Sequence, residues 1–351
     1  MIRCVLFVVF LVAAWATVSA ADSYTDAVSA IHRDDYHLAA RLLRPLAEQG
    51  HAGAQSVLGV LYANGQGVSQ SYEAAAEWYQ KAADQGDAAA QFQAGVLSAG
   101  GQGMPQSYDL AGQWYRRAAE QGVAAAQFQL GVLYDNGQGV SQSYEEAGRW
   151  YRRAAEQGHA RAQSNLGVLY ARGQGLPKDY RLAIQWYRSA AEQGDALAQF
   201  QLGVLYANGQ GVPRNYEMAG QWYRRAADQG DAVAQFNLAV RYDNGQGVSQ
   251  SYEEAGRWYR RAAEQGHARA QSNLGVLYAR GQGLPKDVIR AYMWLTVAVA
   301  GSRGDDVKTA TMNQTTVASD LTAAQIEQAQ EMARRCQDSQ FLQCGMKESV
   351  P

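Results

Sequence analysis

The chain is poor in proline, cysteine and histidine and carries almost no net charge. Six prolines in 351 residues exclude a collagen-like or proline-driven disordered chain. A formal net charge of -2 excludes a strongly basic surface, and with it a nucleic-acid partner, and leaves no acidic tail. Catalytic signatures are missing too. There is no G-x-S-x-G elbow and no S-x-x-K, and neither G-x-G-x-x-G nor a P-loop occurs. His32 and His37, expected on one helix, are off the i,i+4 spacing of paired metal ligands. No metal, no cofactor and no enzymatic activity are expected.

Long hydrophobic runs are also lacking, with one short exception at the start. Arg3 is followed by an apolar stretch from Cys4 to Ala14 and then by small residues. That order reads as an export signal cleaved near Ala20 or Ala21. The run is too short and too N-terminal for a transmembrane span. The mature chain is therefore expected to be a soluble, monomeric, periplasmic or secreted protein, with an uncleaved anchor as the alternative. Removing the signal leaves Cys336 and Cys344, which in an exported chain suggest one local disulfide, or else two free thiols.

What is present is a period. Trp78, Trp114, Trp150, Trp186, Trp222, Trp258 and Trp294 are spaced by 36 residues. Gly-Gln-Gly keeps the same step from Gly65 to Gly281, and L-G-V-L-Y starts at Leu58, Leu130, Leu166, Leu202 and Leu274. Self-similarity at this period means stacked supersecondary units.

Each unit reads as two helices. The first runs from Asp87, a plausible N-cap, to about Ala99. Leu130, Leu133 and Tyr134 share one of its faces. The second runs from about Tyr144 to Gln157, with Ala147, Trp150, Tyr151, Ala154 and Ala155 as its buried stripe. Gly137 ends the first helix with a residue free to take positive φ. Glu145 and Glu146 at the start of the second helix, and Arg152 and Arg153 at its end, complement the helix dipole. Glu145 with Arg149 adds an i,i+4 pair, so these charges read as a solvated outer face. Gly112, Gly148, Gly220 and Gly256 lie inside second helices, at about 1 kcal/mol each relative to Ala. His51, His159 and His267 occupy equivalent turns three repeats apart, too far to share an ion.

The domain organisation follows: a signal peptide over 1–21, a divergent N-terminal repeat or cap over 22–50, seven repeats over 51–300, and a C-terminal capping helix and tail over 301–351. Near the N-terminus Leu42 replaces Trp, and Pro45 is expected to interrupt the second helix. Near the C-terminus Thr322-Ala323-Ala324-Gln325 forms a capping box, opening a last helix to about Cys336.

The block L-G-x-x-Y, G-x-G, A-x-x-W-Y-x-x-A-A-x-Q-G resembles the Sel-1-like repeat family, a branch of the tetratricopeptide superfamily. The resemblance implies an all-α, right-handed α-solenoid with the first helices lining a concave face. It also implies an adaptor in envelope processes or host contact. In such repeats the residue before L-G often faces the groove and bonds a bound peptide's backbone. By similarity these are Gln93, Gln129, Asn165, Gln201, Asn237 and Asn273. Phe92, Phe128, Phe200 and Phe236 stand one residue earlier. An amide ladder flanked by aromatics suits a protein or peptide partner. The alternative is that the amides bond neighbouring helices and the rings fill the core. One exported subgroup of the family is linked to β-lactam chemistry, but this chain lacks that subgroup's Cys pair in each repeat.

Finally, Tyr134 to Asp179 recurs residue for residue from Tyr242 to Asp287. Duplication of a three-repeat block fits extended, repeated contacts better than one catalytic centre. The expected function is an exported protein-binding scaffold. A cell-wall or β-lactam hydrolase and a passive spacer remain the alternatives.

Overall fold

The computed structural model describes residues 20–341 and Cys344. The expected export signal lies outside the described residues, apart from the backbone at its last positions. Among the described residues there are eighteen helices and no strand. In chain order they are α1 (Ala20–His32) and α2 (Tyr36–Glu48), then seven pairs of near-constant length. The pairs are α3 (Ala52–Asn64) with α4 (Tyr72–Asp84), α5 (Ala88–Gly100) with α6 (Tyr108–Glu120), and α7 (Ala124–Asn136) with α8 (Tyr144–Glu156). Next come α9 (Ala160–Arg172) with α10 (Tyr180–Glu192), and α11 (Ala196–Asn208) with α12 (Tyr216–Asp228). The last pairs are α13 (Ala232–Asn244) with α14 (Tyr252–Ala263) and α15 (Ala268–Arg280) with α16 (Val288–Gly301), followed by α17 (Asp305–Ala318) and α18 (Ala323–Asp338). The chain divides into two compact units, Met1–Trp150 and Tyr151–Pro351.

The boundaries have local causes. Second helices start on Ser71, Ser107, Asp179, Asn215, Ser251 and Asp287, whose side chains accept a backbone N–H of the first turn. First helices end on a glycine in the left-handed region, Gly137 at φ 69° being typical. The second glycine of Gly-Gln-Gly serves a different need. A Cβ on Gly139 would collide with the backbone of Tyr108, which opens the second helix of the preceding repeat.

The core is made of alanines and leucines with one register of buried tyrosines, from Tyr79 to Tyr259, which gives way to Leu295 in α16. In the first unit Ala111, Tyr115, Ala118, Leu130 and Leu133 cluster with Trp150. In the second, Ala219, Tyr223, Ala226, Leu238 and Trp258 belong to one continuous cluster that reaches α18 and Cys336. The stripe expected on α8 is buried as read.

Three expectations need correction. Pro45 does not interrupt α2, which continues to Glu48. The missing N–H falls near the helix end, where the chain beside it is exposed to water. His32 and His37 do not share a helix, since His32 ends α1 and His37 lies in α2. The arginines of the second helices are not merely a solvated face. Arg152 donates to the Tyr170 hydroxyl at 2.7 Å, Arg188 to Tyr206 at 3.0 Å and Arg44 to Tyr62 at 2.7 Å, each bracing one helix to the next. Arg117, Arg225 and Arg261 lie over the rings of Trp114, Trp222 and Trp258 at 4.6–4.7 Å. The pair Glu145–Arg149 forms as expected, at 2.7 Å. At the C-terminus the capping box on Thr322 and Gln325 is present, but α17 precedes it, a helix the sequence did not signal.

Candidate binding surface

First helices bury one face and expose the other. On α9, Ala162, Leu166 and Leu169 point into the core, while Arg161, Asn165, Val168 and Arg172 stay accessible at i, i+4, i+7 and i+11. The same register on α11 gives Leu197, Gln201, Val204 and Asn208, and on α13 Val233, Asn237, Val240 and Asn244. On α15 it gives Arg269, Asn273, Val276 and Arg280. Two pairs of successive first helices touch, α9 with α11 in the second unit and α3 with α5 in the first, so their faces adjoin.

The predicted amides lie on this face. Gln93 and Gln129 in the first unit, and Asn165, Gln201, Asn237 and Asn273 in the second, are all half-buried. Among the described residues the side chains of Gln93, Gln129, Asn165 and Gln201 make no hydrogen bond to protein. Asn237 donates to its own helix, at the Val233 carbonyl, 2.8 Å away. Asn273 sits beside the Tyr259 hydroxyl, opposing the upward shift that burial and Asp243 impose on that phenol.

The phenylalanines are drawn inward. Phe92, Phe200 and Phe236 tilt against Tyr115, Tyr223 and Tyr259 with ring centroids 5.9 Å apart. Phe236 also stacks on His267 at 4.6 Å. Phe128 is 5% exposed. Ser56 and Ser164 at this position bond the next cap instead, Ser164 to Asp195 at 2.9 Å, whereas Ser272 accepts from Asn313 at 3.5 Å.

Sequence reasoning missed a second amide ladder, which is structural. Gln55, Gln91, Gln163, Gln199, Gln235 and Gln271 are buried and donate to a carbonyl of the preceding helix at 2.9–3.1 Å. Their oxygens accept from the end of the second helix of the same repeat: Gln85 onto Gln55 at 2.7 Å, and Gln193 onto Gln163, Gln229 onto Gln199 and Gln265 onto Gln235 at 2.8 Å. The ladder stops at Gln271, whose buried oxygen has no partner because Gly301 occupies the register of the next glutamine. The signal was available: these glutamines recur in every repeat while the candidate position alternates between Gln and Asn.

The histidines of the turns are helix caps. The Nδ1 atoms of His51, His159 and His267 accept the N–H of Ala54, Ala162 and Ala270 at 3.1–3.3 Å. Asp87, Asp195 and Asp231 do the same elsewhere, while Val123 caps α7 with no side-chain bond. Burial holds His159 and His267 below the ordinary imidazole pKa. Burial also pushes the Tyr79, Tyr115 and Tyr223 phenols up to about 12.

Among the described residues no His, Cys, Asp and Glu group could hold a metal ion, and no helix is long and apolar enough to cross a membrane. Cys336 and Cys344 form a disulfide, both sulfur-bearing residues being buried.

Comparison with known proteins places these features. A Sel1 repeat protein from Oxalobacter formigenes is 37% identical, with 72% of this chain and 98% of that one covered, at a TM-score of 0.61. The protein c5321, described as a protective antigen of uropathogenic Escherichia coli displaying an SLR fold, is 26% identical over 95% of this chain and 88% of its own, at a TM-score of 0.47. No curated protein matches. The Sel1 repeat model matches residues 31–51, 52–87, 88–123, 124–159, 160–195, 196–231, 232–267 and 268–301, so the chain belongs to the Sel1 repeat family.

Proposed function

We propose that this protein is an exported adaptor that binds a protein segment along the exposed face of its first helices. Sel1 repeat proteins generally act as non-catalytic, protein-interaction scaffolds. The observation that carries the finer reading is that half-buried amides share one register within each unit, Gln93 and Gln129 in the first and Asn165 and Gln201 in the second having unused hydrogen-bonding capacity. An extended backbone passing across the helices would supply those bonds. Export is supported by the Cys336–Cys344 disulfide, which suits an oxidising compartment, and by the signal-like N-terminal sequence.

The test is a pull-down from envelope and host extracts with the wild type and with Asn165, Gln201 and Asn237 changed to Ala. Loss of recovered partners supports the site, and unchanged recovery removes it.

A further inference from the structure

The outward registers of α9, α11, α13 and α15 differ in one respect from those of the first unit. There the equivalent residues at the helix starts are Gly53, Ala89 and Ala125, and at the helix ends Asn64, Gly100 and Asn136, with no charge among them. In the second unit the starts read Arg161, Leu197, Val233, Arg269 and the ends Arg172, Asn208, Asn244, Arg280. The duplicated segments therefore place identical arginine pairs on α9 and α15. Two helices with apolar entrances lie between them. Leu197 and Val233, 43% and 44% exposed, are among the four exposed large hydrophobics of the described chain and share one register in adjacent repeats.

The charged residues at these outward helix starts and ends are all arginines. Arg172 and Arg280 are exposed and form no ion pair among the described residues. Arg269 is paired with Asp306 at 2.8 Å, but both partners are largely solvated, so the pair is readily exchanged. Asp195 and Asp231, two residues before Leu197 and Val233, are engaged in capping α11 and α13.

We infer that this face takes an extended peptide with apolar side chains in its middle and a carboxylate towards each end. This deepens, and rests on, the adaptor reading above. Guanidinium groups fit carboxylates two hydrogen bonds at a time, and Leu197 and Val233 offer contact to the apolar centre. Helices of adjacent repeats lie about 10 Å apart, so α9 and α15 are separated by roughly 30 Å. An extended chain rising ~3.3 Å per residue covers that span in about nine residues. The acidic groups of the peptide are therefore spaced by about nine residues.

The probe is a fluorescein-labelled peptide of about eleven residues, with Glu-Glu at each end and alternating Leu, Val and Ser between. Its controls are a Lys-ended peptide and one with the four Glu moved to the middle. Anisotropy with the full chain is expected to show at least about tenfold tighter binding to the Glu-ended peptide, weakening with salt. The double variant Arg161→Gln/Arg269→Gln, at the helix starts in line with Leu197 and Val233, is expected to lose about tenfold, with helix content unchanged by circular dichroism. The variant Leu197→Ser/Val233→Ser is expected to weaken the Glu-ended and Lys-ended peptides equally. Equal binding of the three peptides, or of the wild type and the double arginine variant, overturns the inference. So does tighter binding of a single-stranded oligonucleotide of matched charge. If the arginine variant still recovers partners in the pull-down while the triple amide variant does not, the acidic-peptide inference falls and the adaptor reading stands.

Discussion

Two glycines in adjacent helices are predicted to respond to the same substitution with opposite sign. Gly203 sits mid-helix in α11, where a Cβ would lie 2.5–2.6 Å from the ring carbons of Tyr223. A relaxed carbon–carbon contact is about 3.5 Å, so the ring must retreat by roughly 1 Å. Tyr223 is buried in the core of the second unit, and overpacking of that kind costs up to about 3 kcal/mol. Helix propensity returns about 1 kcal/mol. Gly203→Ala is therefore expected to destabilise by about 2 kcal/mol. Gly220 lies in α12, and its nearest neighbour to an added Cβ is Val248 at 3.8 Å. Nothing must move, so Gly220→Ala is expected to stabilise by about 1 kcal/mol. For a cooperative unit of 150–250 residues each kcal/mol is about 2–4 °C in Tm. Thermal melts should then show a fall of about 4–8 °C for the first variant and a rise of about 2–4 °C for the second. If Gly203→Ala stabilises as Gly220→Ala does, the close contact between first helix and tyrosine is not the constraint claimed here. α13 carries Ala239 at this register together with Arg241 where the other repeats have Leu, so the array admits the methyl only where the surroundings also differ.

Further expectations follow from the caps, the ladder and the disulfide. The neutral imidazoles of His159 and His267 cap α9 and α15, and burial lowers their pKa. Their stabilisation is thus complete above the ordinary value of about 6.5 and is lost as pH falls through the depressed native value. His159→Asp/His267→Asp should leave Tm near pH 7 unchanged and reduce its drop towards pH 5, by about 1 kcal/mol per cap. An unchanged pH profile would show the caps to be idle. Gln199→Leu removes one of the bonds at the Ala191 carbonyl and one of the two at the Gln229 amide, and should cost about 1–2 kcal/mol in urea unfolding. Gln271→Leu should cost about 1 kcal/mol less, because the oxygen it removes has no partner. Replacing Cys336 and Cys344 by Ala opens a loop with a sequence separation of 8. On the chain-entropy account this lowers stability by about 2.5 kcal/mol, measured by melts with and without reductant.

The parts of this fold that were legible in the sequence are those written in repeated, local chemistry. Helix limits followed from Asp87, Gly137 and Thr322 because capping and left-handed turns depend on single residues and their immediate neighbours. α17 escaped because it repeats nothing. It is rich in threonine, a weak helix former, starts on Gly304 without a side-chain cap, and buries little beyond Ala310 and Val317. Its place is set by partners remote in sequence: Gln314 on Thr296 at 2.8 Å and Asp306 on Arg269. Arg152 was misread for the same reason, since its partner Tyr170 belongs to the next repeat.

The candidate surface was only half legible, and the residues show why. Two amide rows stand two positions apart on the first helices from α5 to α15. One, from Gln55 to Gln271, is the same residue in every repeat and is consumed in the joints. The other, including Gln93, Asn165 and Gln201, alternates in type and faces outward. A repeat array must satisfy the same buried donors and acceptors at every joint, so the joint residues cannot vary from one repeat to the next. Residues on the open face are under no such demand. Variation within the chain therefore separates packing from recognition without any outside comparison. It singles out the outward starts of the first helices, where Gly53, Ala89 and Ala125 give way to Arg161, Leu197, Val233 and Arg269. The duplication sharpens the point. It copied α9 into α15 unchanged, joints and face alike, yet α11 and α13 between them keep different outward residues on the same buried ladder. Differences held on a shared scaffold are what a surface shaped by a partner would carry, and a passive spacer has no use for them.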